Sequence, residues 1–242
     1  MQISTKTTNV QADGTEIVRG EQLVDVIANY TFSETIFLML TGNKANEAER
    51  RMMDAIFSSI IDNGPAVASA MNARISASAG NNMHTALAAG VLGFGPRHGV
   101  ALEAAMHFLY THLGTEDVRA LLVDMKERRE YVPGLGHKIF TEDPRAAALF
   151  KKAEELDIAA GHCEFIKEVH EVSNELSSKV LPINVDGAIA AILCDMGIDS
   201  ALGEGLFVIG RMPGLVAQVH EEVKEGKGIR RLDPSDVDYQ GK

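Results

Sequence analysis

Residues 165–180 read FIKEVHEVSNELSSKV, with Phe165, Val169, Val172, Leu176 and Val180 recurring every three or four residues. That is the period of one face of an α-helix, not the alternation of a half-buried strand. The same period spreads outward from this stripe. Val100, Leu102, Ala105, Met106 and Leu109 predict a helix over 99–112, and others are expected over 116–129, 186–197 and 202–224. Towards the N-terminus, Met52, Met53, Ile56, Phe57 and Ile60 extend a helix over 46–61 with Asn46 as its cap. FSETIFLML at 32–40 predicts another, starting at Ser33 as N-cap and closed by Gly42 in the left-handed conformation. The Ala/Ser/Gly-rich stretch 66–93 predicts two closely packed helices, buried or at an interface. Only the first twenty residues differ. ISTKTTNV and TEIVRG flank Ala12, Asp13 and Gly14, and β-branched residues around an Asp-Gly turn predict a hairpin. The expected fold is all-α with a short N-terminal β-hairpin.

Composition bounds the function. At 242 residues, 45% hydrophobic and 24% charged, the chain can bury a core in one large domain or two unequal ones. A net charge of −11 argues against a general nucleic-acid or anionic-membrane partner, and gives weight to any local group of arginines. No apolar run approaches the length of a membrane span, and MQISTKTTNV has no signal-peptide core, so a cytoplasmic protein is expected. Cys163 and Cys194 lie within helical patterns and suit reduced core thiols. No His/Cys spacing suggests a metal site, and His84, His107, His112, His162, His170 and His220 lie in ordinary helical runs or at their ends.

Three loops interrupt the helices: GFGPRHG at 93–99, VPGLGHK at 132–138 and LPINVDG at 181–187. Each sets a titratable side chain (His98, His137, Asp186) among turn residues, where a rigid scaffold can present it. Singly, such a residue is more often a cap or a surface group than a catalyst.

In this order, the loops resemble those of the citrate synthase superfamily. GPRHG is similar to that family's GPLHG, VPGLGHK to its PGxGH loop and NVDG to its NVD motif. Asp143-Pro144-Arg145 resembles the family's DPR, one residue closer to the histidine than usual. FVIGR at 207–211 resembles the helix bearing a substrate arginine, and Arg231 in GIRRLDP falls where the family has a near-terminal arginine. Arg230 competes with Arg231 for that role. The resemblance runs from about residue 16 to the C-terminus. It implies a large helical domain, 1–97 with 187–242, and a small one, 98–186, closing on substrate. It also implies a homodimer, with the near-terminal arginine contributed to the partner subunit's site.

The chemistry implied by the resemblance is the making or breaking of a carbon–carbon bond beside a coenzyme A thioester. Asp186 would be the base at the acetyl methyl, and His98 would donate to the thioester oxygen as the enolate forms. His137 would polarise the ketone of oxaloacetate. Arg145, Arg211 and Arg231 would hold carboxylates. Coenzyme A would lie along Val132, Gly134, Leu135, Gly136, Lys138 and Asn184, as substrate and not as a resident cofactor.

Direction is read from two departures. The chain is much shorter than the synthases and suits a compact citryl-CoA lyase. Residues 62–80, DNGPAVASAMNARISASAG, also resemble the lyase module of ATP-citrate lyases, where the segment reads DHGPAVSGAHN. Asn63 replaces that module's histidine and is expected to touch substrate oxygen. Conversely, His98 is kept as in the synthases, whereas the lyase module's GDRFGG loop has no histidine. Citryl-CoA lyase is the leading reading. Citrate synthase or 2-methylcitrate synthase is the alternative, and a non-catalytic CoA-ester binder the third.

Overall fold

Eleven α-helices and a three-stranded antiparallel sheet are present among the described residues of the computed structural model, 3–96, 98–99, 101–137, 141–226 and 228–241. Val100 and Lys138 lie outside them. The sheet is β1 (Thr8–Val10), β2 (Glu16–Val18) and β3 (Glu21–Gln22), with Thr8 opposite Val18 and Val18 opposite Glu21. The hairpin expected at Asp13-Gly14 is there, and gains a third strand. The mostly helical architecture agrees with the expected fold. No helix among the described residues is long and apolar enough to cross a membrane.

Local chemistry sets the helix ends. The helix α1 (Leu23–Asn29) leads to α2 (Phe32–Thr41), which is capped by Thr31 and not by Ser33. Thr31 and Glu34 satisfy each other's backbone N–H groups in a capping box, whereas Ser33 sits inside the helix and donates to Asp54. Gly42 closes α2 at φ 78°, as expected. Asn46 and Glu49 form the same reciprocal arrangement before α3 (Glu47–Ser59).

By packing, the chain forms two units: Met1–Ser59 with Leu102–Gly203, and Ile60–Ala101 with Glu204–Lys242. The helices α4 (Ala68–Ser78) and α5 (Met83–Val91) belong to the second; α6 (Ala101–His112), α7 (Val118–Glu127), α8 (Pro144–Glu155), α9 (Gly161–Leu176) and α10 (Val185–Asp195) fall essentially in the first. The second unit also takes nearly all of α11 (Gly203–Glu225).

In the first unit α10 is the axis. Its sequence AIAAILC is apolar all round, so the helix is buried on every side, packed against α8 and α9. Ile189, Ile192 and Leu193 have no exposed surface, and truncating any one to Ala costs about 2–5 kcal/mol. Asp195, at the end of α10, supplies the cap that α9 lacks. Its oxygens accept from the backbone N–H groups of Ala160, His162 and Cys163 at 2.7–3.1 Å, and from His162 Nδ1 at 2.8 Å. His162 is therefore not an ordinary helical histidine. The helix ends at Leu176, so Val180, the last residue of the sequence stripe, lies beyond it and is exposed.

In the second unit α4 and α5 pack closely because their facing residues are small. Ala70, Ala73, Ala77 and Ala86 form a core with Leu215 and Val219 of α11. A Cβ at Gly90 would already stand 3.1 Å from that of Ala73.

Candidate active site

In the first unit the loop 132–137 and the start of α10 are tied into one knot. Asn184 caps α10 by accepting from Gly187 N, and its amide donates to Gly136 O, both at 3.0 Å. The backbone N–H of Asn184 donates to Gly134 O at 3.0 Å, and that of Gly136 to Pro182 O at 2.7 Å. The loops meet at two glycines. A Cβ on Gly187 would overlap Gly134 O, and one on Gly134, at φ +86°, would stand 2.6 Å from Gly187 Cα. Asp186 occupies the first turn of α10 inside this contact, and His137 directly follows Gly136.

Asp143 fastens Arg145 to the same place. It caps α8, pairs with the Arg145 guanidinium through Nε–Oδ1 at 3.0 Å and Nη2–Oδ2 at 2.8 Å, and accepts from Val185 N at 3.1 Å. Burial works to raise the Asp143 pKa, but hydrogen bonds from Arg145 and Val185 outweigh it and hold the carboxyl below its ordinary range. Two of the five N–H donors of Arg145 thus point at Asp143, and the side chain is only 28% exposed.

His98 lies in the second unit. Its backbone exchanges hydrogen bonds with Gly95 at 2.7 and 2.8 Å. Its Nε2 is 2.8 Å from the hydroxyl of Ser69, a residue with no exposed surface. The Phe94 ring lies beside the imidazole at 5.5 Å and meets Phe207 edge-on at 5.7 Å, while the Arg211 guanidinium stands 5.0 Å over Phe207. Gly99, at φ +83°, leaves no room for a side chain between the two phenyl rings. Arg211 is itself buried and donates from Nε to Ile60 O at 2.6 Å.

Burial, and secondarily the positive charge of Arg211, lower the pKa of His98 below its ordinary 6.5. The unfolded chain then binds more protons in the window below 6.5, so stability falls as the pH drops from 6.5 towards the lowered value. An NMR titration of the His98 ring is expected to give a midpoint below 6.5. A midpoint at or above that value would show that the ring is not desolvated as described.

Asn63 is exposed, on a turn closed by Gly64 N donating to Asp62 Oδ2 at 3.0 Å. Arg231 is exposed as well. Arg230 is committed, through Nε to Glu222 Oε1 at 2.7 Å, which separates two arginines that sequence alone left competing. Gly134, Gly136 and Asn184, expected along coenzyme A, spend several of their polar groups on each other. Val132 and Leu135 line a recess of about 440 Å³ with Leu122, Met125, Leu176 and Leu181. Sequence reasoning missed Ser69. It lies in the 62–80 stretch, but nothing in the sequence says which face of α4 meets the GFGPRHG loop. It also missed Asp143 as the partner of Arg145.

Comparisons with known proteins show the family of the chain. The family described as "Citrate synthase, C-terminal domain" matches residues 2–232. A citrate synthase of Heyndrickxia coagulans is 27% identical over 95% of this chain and 62% of its own length. A 2-methylcitrate synthase of Shewanella oneidensis is 34% identical over 72% of this chain and 46% of its own. The chain therefore spans less than two thirds of these curated relatives. Among solved structures, a citryl-CoA lyase from Hydrogenobacter thermophilus superposes with a TM-score of 0.94 at 41% identity, covering 99% of this chain and 95% of that one.

Proposed function

Because the chain belongs to the citrate synthase family, we propose that it is a citryl-CoA lyase, cleaving citryl-CoA into acetyl-CoA and oxaloacetate. One observation carries the choice of direction. A citryl-CoA lyase is 41% identical over 99% of this chain, whereas a citrate synthase and a 2-methylcitrate synthase are 27% and 34% identical over 95% and 72% of it.

In this reading His137 takes the proton of the citryl hydroxyl as the bond between the ketone carbon and the acetyl carbon breaks. The electron pair of that bond moves into the thioester, where His98 donates a hydrogen bond to the enolate oxygen. With the Ser69 hydroxyl donating to Nε2, a neutral ring carries its proton on Nδ1, and that N–H serves as the donor. Asp186, in its protonated form, delivers a proton to the enolate carbon and completes acetyl-CoA. In the reverse direction it is the base. Arg145, Arg211 and Arg231 hold carboxylates, and Asn63 donates to substrate oxygen. Coenzyme A lies along Val132–Lys138 and Asn184, beside the apolar recess. The division into 1–97 with 187–242 against 98–186, closing on substrate, belongs to the same proposal, as does action in the cytoplasm. So does a homodimer.

The retained His98 favours one second reading, a synthase. Acetyl-CoA and oxaloacetate, offered together, decide between them. A lyase releases no free thiol beyond the uncatalysed rate, whereas steady release of coenzyme A with citrate would make the protein a synthase.

A further inference from the structure

In the second unit a buried polar chain joins the two segments that carry Asn63 and Arg231. It begins at Asp62, whose Oδ2 closes the Asn63 turn and also accepts from Gln218 Nε2 at 3.0 Å. Gln218 Oε1 accepts from Arg74 Nη1 at 2.8 Å, and Arg74 Nε pairs with Glu222 Oε2 at 2.8 Å. Glu222 Oε1 accepts from Arg230 Nε at 2.7 Å, while Arg230 N donates to Ser78 Oγ at 2.9 Å. Gln218, Arg74 and Glu222 are each less than a tenth exposed, so water does little to weaken these links. The hydrogen bond from Arg230, opposed by burial and aided by the charges of Arg230 and Arg74, holds the Glu222 carboxyl below its ordinary range.

Arg74, Arg230 and Arg231 line one cavity of about 510 Å³, together with Pro65, Met71 and Leu232. Three arginines at one cavity are a marked local concentration in a chain of net charge −11. Arg74 and Arg230 are committed to Glu222, and Arg74 also to Glu221 at 3.2 Å. Arg231 is thereby singled out for an incoming carboxylate. Residue 230 is pinned twice, by side chain to α11 and by backbone to α4, which sets the direction in which its neighbour leaves the surface.

We propose that Glu222 is a positioning residue: through Arg230 and the Ser78 anchor it fixes the segment that presents Arg231 to a substrate carboxylate. The same chain ties that segment to the turn bearing Asn63. This rests on the citryl-CoA reading above for the identity of the carboxylate.

The test compares the full-length protein with Glu222→Gln, Glu222→Asp and Ser78→Ala. Three readouts are taken: citryl-CoA kinetics, citrate affinity by calorimetry, and tryptic cleavage after Arg230 and Arg231. Glu222→Gln is expected to raise KM for citryl-CoA about tenfold with kcat within about twofold, to weaken citrate by a similar factor, and to speed cleavage. Glu222→Asp is expected to recover part of each change. Ser78→Ala leaves the buried charges intact and should move all three readouts the same way by less, which keeps the idea testable if Glu222→Gln fails to fold. Faster cleavage with unchanged KM and citrate affinity would overturn the positioning role while leaving the lyase reading standing. A wild-type protein that binds citrate without turning over citryl-CoA would sink the lyase reading alone, with citrate affinity still judging the clamp. Neither binding nor turnover by wild type would overturn both.

Discussion

Asp186→Asn is expected to lower turnover of citryl-CoA by about a thousandfold, the middle of the range for removing a positioned general acid or base. Asparagine fits the space and keeps the hydrogen-bonding shape in the first turn of α10, but it cannot exchange a proton with carbon. The knot that places the residue should survive, because Asn184, Gly136 and Asp143 hold the backbone on either side of it. Affinity for a CoA ester is therefore expected to stay within about threefold of wild type while kcat falls, the pattern of an interaction lost from the reaction step alone. A fall of less than tenfold would place the proton transfer on another group.

Gly187→Ala is expected to lower turnover by about a hundredfold, for a different reason. The added methyl would sit on Gly134 O and only 2.9 Å from the Gly134 carbonyl carbon, so backbone must yield. Overpacking of this kind costs about 1–3 kcal/mol in stability. Turnover of the folded protein should fall separately, because the loop carrying His137 and the turn carrying Asp186 are forced apart, and misplacement by about 1 Å costs roughly a hundredfold in rate. Thermal unfolding and kcat measured on the same preparation check both parts. Wild-type turnover in a destabilised Gly187→Ala protein would show that the two loops need not touch for activity.

Much of this was legible in the sequence because it depends on local chemistry. The β-branched residues about Asp13-Gly14 announced the hairpin, Gly42 the end of α2, and the apolar period the course of α9. The errors were also local competitions. Thr31 outcompeted Ser33 as a cap because only Thr31 has a glutamate three residues on to complete the box. Val180 kept the helical period by coincidence, after the chain had left α9. What could not be read is whatever depends on residues far apart in the chain: Ser69 against His98, Asp143 against Val185, and the path from Asp62 through Gln218, Arg74 and Glu222 to Arg230. Period and motif say which residues share a face, but not what that face meets.

The most direct test of citryl-CoA cleavage is to mix purified protein with citryl-CoA and identify the products after a single quench. The expected result is oxaloacetate and acetyl-CoA in equal amounts, with no free thiol. Citrate and free coenzyme A instead would mean that the thioester is hydrolysed and the carbon–carbon bond left intact, which contradicts the assignment of His137, His98 and Asp186 to its cleavage.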